Sequence, residues 1–179
     1  MKWRNLSSAL LALLGVSLLT QCNTMRSDCE AIALRNQEIA QEPAGDYYIG
    51  RRYYIPSTRF WGYIRRPGQS WSSAKLVIMD ESTILTPDRG PEPPAPNATF
   101  GTDHNVEYYI LGDFVRTPNH DIAYEPNSDQ VLPVFRARSY TLRSSKPGFL
   151  FKPSERYNRT MVSLFPSMMP TAANCAAAQ

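Results

Sequence analysis

"TRFWGYIRRPGQSWSSAKLVIMDE", residues 58–81, is the stretch whose reading decides the fold. Aromatic and β-branched side chains flank Pro67-Gly68 on both sides. In a type II turn proline presets φ at the second position and glycine supplies the positive φ at the third. The pattern therefore predicts a hairpin with strands over 59–66 and 71–79. "KLVIM" is apolar on both faces, which predicts a central, buried strand. Side chains alternate across a strand, so Trp61, Tyr63 and Arg65 are expected on one face, with Phe60, Gly62, Ile64 and Arg66 on the other. The second set suits a core, apart from Arg66 at the strand end. The first set has the composition of a ligand face. Its aromatic rings suit stacking on sugars, and its arginine suits a phosphate or carboxylate. The competing reading is that these aromatics pair across strands and stabilise the sheet.

Working outward, "DYYIGRRYYI" (46–55) alternates in the same way, with Gly50 marking a bend or bulge. Downstream, "TPDRGPEPPAPNATFGTDHN" carries five prolines and predicts an exposed Pro-rich loop over 86–105. Strand patterns resume in "VEYYILGDFV", "DIAYE", "VLPVFRARSYTLR", "GFLFK" and "TMVSLFP". Pro133 and Pro153 mark edges or starts of the strands that they touch. The chain pieces on either side of the Pro-rich loop are too small to be stable alone, so one domain over 46–166 is expected. Roughly seven to nine short strands and a single helix predict a mainly β fold, a small sandwich or barrel-like domain. "YYIG" at Tyr47 returns as "YYILG" at Tyr108, an echo that common strand vocabulary also explains.

The helix belongs before the domain. Ser27-Asp28-Cys29-Glu30 has the form of a capping box, and "AIALRNQEIAQ" follows. Its stripe of Cys29, Ile32, Ala33, Asn36, Ile39 and Ala40 is weakly amphipathic, and Pro43-Ala44-Gly45 ends it. A stalk or docking helix over 22–45 is expected. Residues 167–179, which include "TAANCAAAQ", are expected to be a flexible tail.

The N-terminus reads differently. Lys2 and Arg4 precede an apolar run from Ala9 to Leu19. That run is about half the length of a bilayer-spanning helix. Cations before a short apolar run form the pattern of a secretory signal peptide over 1–21. The run closes Leu19-Thr20-Gln21-Cys22, which resembles the lipobox of bacterial lipoproteins, although Gln21 departs from the small residue usual there. The resemblance covers these first residues only. It implies cleavage before Cys22, acylation of Cys22 with palmitate-type chains, and membrane anchoring in a bacterial envelope. By the same resemblance Asn23, in place of an aspartate, implies passage to the outer membrane. A plain secretory peptide, cleaved elsewhere, leaves Cys22 for a disulfide instead.

Composition sets further bounds. Removing residues 1–21 from 179 leaves 158, with 17 basic and 16 acidic residues and a net charge of +1. That balance argues against a nucleic-acid partner held by phosphate attraction. With Cys22 lipidated, Cys29 and Cys175 remain, either as a bridge in an oxidising compartment or as free thiols on the two ends.

No catalytic residues are assigned. His104 and His120 each neighbour an aspartate, Asp103 and Asp121, but strand neighbours point to opposite faces, so solvated turn histidines are expected. There is no HExxH or GxSxG pattern and no cysteine–histidine cluster. Asp80 and Glu81 read as an ordinary charged strand end. Asp103, Asn105, Asp113, Asn127 and Asp129 lack EF-hand spacing. No metal and no cofactor are expected. The asparagine sequons at Asn97 and Asn158 carry no weight in a bacterial lipoprotein. The sequence thus leads to an envelope lipoprotein that displays a small β domain for a structural or protein-interaction role. The alternatives are a glycan or envelope-polymer binder using Trp61, Tyr63 and Arg65, and a hydrolase.

Overall fold

The computed structural model describes residues 26–53, 60–85, 103–115, 122–125, 130–153 and 169–177. The expected signal peptide, Cys22, His120, most of the Pro-rich loop and the "TMVSLFP" strand lie outside the described residues. A helix, α1, runs over 26–40. It is followed by β1 Tyr48–Arg52, β2 Phe60–Arg65, a 3-10 turn at Trp71–Ser73, β3 Lys75–Asp80, β4 Glu107–Phe114, β5 Ile122–Glu125, β6 Gln130–Ser144 and α2 Ala172–Ala177. Among the described residues no helix is long and apolar enough to cross a membrane.

The chain folds as a closed five-stranded barrel. The strand order is β3-β2-β1-β4-β6, and a parallel pairing of β3 with β6 closes the ring. The other contacts are antiparallel. The fifteen-residue β6 serves two partners. Its start pairs with β5 as far as Pro133, and its parallel contact with β3 begins at Val134. Proline lacks the N–H that a ladder needs, so Pro133 falls where the strand changes neighbours. The two echoing Tyr-Tyr-Ile segments lie side by side, with Gly50 opposite Tyr108.

The Pro67-Gly68 turn forms as its chemistry dictates. The Gln69 amide donates to the Arg66 carbonyl at 3.2 Å, and Gly68 has φ 74°. The return strand starts later than the pattern predicts, because Trp71 belongs to the 3-10 turn and β3 begins at Lys75.

The expected alternation along β2 is broken by an irregularity in its pairing with β3 between Phe60 and Gly62. Gly62 lies against β1 with φ 154°, where an added Cβ would stand 2.1 Å from the Arg51 carbonyl oxygen. The break puts Trp61 and Ile64 in the same cluster. With Tyr48, Val77, Tyr108, Ile110, Phe135 and Ala137 they fill the barrel. Tyr140 stacks on Trp61 at 5.6 Å and 15°. A barrel of this size is filled by its own side chains.

A second core lies on the outer face of the sheet. Tyr63, Ile49, Tyr53 and Ile78 pack there with Ile39 of α1, Trp71, Leu132, Leu150 and Phe151. Residues 149–151 form no strand, contrary to the sequence pattern. Leu150 and Phe151 act as a cover over the sheet. The tail also differs from expectation, since it forms α2, with Cys175 bonded to Cys29 across a Cα–Cα distance of 5.6 Å.

Candidate functional site

The predicted ligand face is not a surface. Trp61 is 1 % exposed, Tyr63 4 % and Arg65 2 %. The break in pairing sends Trp61 into the barrel, while α1 and residues 149–151 cover Tyr63 and Arg65 outside. The outer face of the sheet is thus occupied by the chain's own helix and cover segment.

The open ground lies beside that cover. A polar cleft of about 370 Å³ is bordered by α1, β2, the 3-10 turn and the ends of β4 and β6. Its floor is an unbroken chain of ion pairs. Glu42, just past the end of α1, accepts from both terminal nitrogens of Arg65, each at 2.6 Å. It also accepts from the Gly68 amide at 3.0 Å and from Arg143 Nη2 at 3.0 Å. Arg143 reaches on to Glu107. Glu107 in turn accepts from Arg51, at 2.6 Å to Nη2 and 3.2 Å to Nε. Arg51 completes its fork on Asn105 Oδ1 at 2.8 Å. Burial pushes the Glu42 carboxyl up, but Arg65, the Gly68 amide and Arg143 outweigh it and hold Glu42 below its ordinary 4.5. Burial pulls the Arg143 guanidinium down, against the attraction of Glu42.

Trp71 sits in a cage of guanidinium groups. Arg65 lies 4.7 Å from its ring centroid, Arg51 5.3 Å and Arg35 5.8 Å. Such contacts compensate cations withdrawn from water. Arg35 also donates to the Phe149 carbonyl and lies over the Phe149 ring at 4.5 Å, which ties α1 to the cover segment. Next to it an apolar cavity of about 220 Å³ lies between Ile32, Ile39, Trp71, Leu150 and Met169.

The other sequence candidates have structural roles. Asp103 is buried beside Arg52, 3.8 Å from its Nε, at the turn that leads into β4. His104 lies in a turn, as expected, but is half-buried and not fully solvated, with its ring 5.2 Å from Tyr53. Asp80 accepts from Arg136 at 2.7 Å across the parallel seam, and Glu81 accepts from the Tyr140 hydroxyl at 2.6 Å. Asp113 pairs with Arg138 at 2.7 Å. Among the described residues no group of three or more histidine, cysteine and carboxylate side chains is placed to hold a metal.

Sequence reading named Arg65 but not its pairing with Glu42 and Trp71, nor the Glu107 and Arg143 that extend the network. The pairs are 23, 56 and 101 residues apart, and no local pattern signals them. Compared with protein-family models, with curated proteins and with solved structures, the chain matches none.

Proposed function

We propose that this protein is an envelope lipoprotein, anchored through acyl chains on Cys22, whose small barrel is a structural or protein-interaction module. The observation that carries this reading is the Cys29–Cys175 bond. Disulfides of this kind persist in oxidising compartments outside the cytosol. The chain has three cysteines, so the bond leaves Cys22 over for acylation. Several acyl chains hold a protein stably where one binds only marginally.

A binding or scaffolding role fits the charge arrangement better than catalysis. The carboxylates Glu42, Glu107 and Asp80 are committed to arginines. Labelled palmitate fed to cells that produce the full chain tests the anchor. Incorporation that disappears in Cys22→Ala supports the reading. A native protein whose intact mass retains residues 1–21, or carries an unmodified thiol at Cys22, overturns it.

A further inference from the structure

We infer that the cleft beside α1 is a binding site for a small oxyanion, a carboxylate or phosphate group of a ligand, held by Arg143 and Arg65 with Arg35 at its side. The inference goes beyond the anchor and does not depend on it.

Charge is the first ground. Arg35, Arg65 and Arg143 line the cleft and Arg51 lies buried behind it, against Trp71 and Glu107, and guanidinium groups do not shed their protons. Against these four stand two enclosed carboxylates. Glu42 is filled by four donors, and Glu107 is shared between Arg51 and Arg143. Glu38, exposed at the rim, is the third carboxylate on the lining, so the lining alone balances at three against three, and the one positive charge in excess is that of Arg51 behind it.

Donors are the second ground. A guanidinium carries five N–H groups in a fixed fork that matches a carboxylate or phosphate. Arg143 places two nitrogens on Glu42 and Glu107 and keeps 27 % of its side chain open to solvent where it lines the cleft. Arg65 has a side chain only 1 % exposed, and its Nε has no acceptor among the described residues. A buried donor of that kind is costly unless something accepts from it. The walls are firm, because each arginine is fixed by a carboxylate or by Trp71. The site therefore requires little ordering when a ligand enters. Its volume falls in the lower range of small-molecule sites.

Glu38 and Arg143 make the test one of sign. The full chain, in a non-ionic detergent, is titrated at constant ionic strength with inorganic phosphate and, separately, acetate. The Trp71 indole and arginine Nε–H resonances are followed by NMR. A saturable shift with either anion supports the site and names its preferred oxyanion. Arg143→Gln should weaken binding about tenfold. Glu38→Gln, by removing a rim repulsion, should tighten it about twofold. Arg138→Gln, at an exposed arginine elsewhere, should leave it unchanged. The inference is overturned if neither anion saturates, if Arg138→Gln weakens binding by about the tenfold expected of Arg143→Gln, or if Glu38→Gln fails to tighten it. Glu38 and Arg138 are both exposed, so these two variants decide the matter even if Arg143→Gln does not fold.

Discussion

Glu42 holds Arg65 with both carboxylate oxygens at 2.6 Å, and through that fork the end of α1 is fixed to the second strand of the barrel. The two side chains are 6 % and 1 % exposed. Removing one partner of such a pair leaves a charge buried without compensation. Glu42→Gln is expected to cost about 3–5 kcal/mol in urea unfolding. Because the folded Glu42 carboxyl lies below its ordinary 4.5, its contribution is complete above that pH and is lost as acid protonates the folded state. The stability of the parent should therefore fall more steeply with acidification below pH 4.5 than that of Glu42→Gln. Equal slopes would show that the fork adds nothing.

The covalent tie between Cys29 and Cys175 spans a sequence separation of 146. In the chain-entropy model, a loop that long stabilises by about 4–5 kcal/mol through its constraint on the unfolded chain. The double variant Cys29→Ser, Cys175→Ser should lose stability of that order. Protection of α1 amides from hydrogen exchange should fall with it, because α2 no longer braces that helix. A variant with unchanged melting would show that the barrel and its ion pairs hold α1 unaided.

Trp61 and Tyr63, which sequence spacing assigns to one exposed face, should behave as core residues in two different clusters. Truncating a buried aromatic to alanine costs about 3–5 kcal/mol. Trp61→Ala and Tyr63→Ala are each expected to destabilise by that amount in chemical denaturation. Either variant melting like the parent would return the residue to the surface.

The hairpin at Pro67-Gly68 and the strand character of 48–52, 75–80 and 107–114 were legible because their causes are local: a turn that needs proline and glycine, and runs of apolar side chains. The parity of β2 was not legible. It depends on how closely the Arg51 carbonyl approaches Gly62, a contact made only once β1 and β2 are paired. The packed side of α1 was legible only in part. Cys29, Ile32 and Ile39 of the expected stripe are buried or half-buried, whereas Ala33, Asn36 and Ala40 are exposed, and the rest of the packed side includes the charged Asp28 and Arg35, which escape a search for apolar periodicity. The ion-pair floor of the cleft joins residues from β1, β2, β4 and β6 that only the long-range pairing of those strands brings together.

Gly62 itself gives a sharp expectation. An alanine methyl there meets the Arg51 carbonyl at 2.1 Å and the Tyr53 amide nitrogen at 2.9 Å, both backbone atoms that cannot rotate away. Gly62→Ala should destabilise by about 3 kcal/mol or more, as overpacking against a fixed backbone does. Gly68→Ala meets no atom within 4 Å and bears only the strain of its positive φ, about 1 kcal/mol. Thermal melts of the two variants should rank in that order.

The parallel seam supplies the last expectation. Asp80 and Arg136 are partners in the β3–β6 register and meet at 2.7 Å. Hydrogen bonds from Arg136 and then from the Ser82 hydroxyl and amide hold the Asp80 carboxyl down at about 2, below its ordinary 3.8. The folded value is depressed, so the stabilisation is present above about pH 4 and is lost as pH falls towards 2. The Arg136 side chain is 57 % exposed and the Asp80 side chain 23 %, so water and salt screen the pair. Its worth is therefore at most about 1 kcal/mol. Asp80→Asn should lower stability by no more than that at neutral pH and converge on the parent near pH 2. Raising the salt concentration to about 1 M, where screening acts within a few ångströms, should shrink the neutral-pH difference. A deficit that persists at pH 2 and in high salt would assign the role of Asp80 to its turn with Ser82, not to the ion pair across the seam.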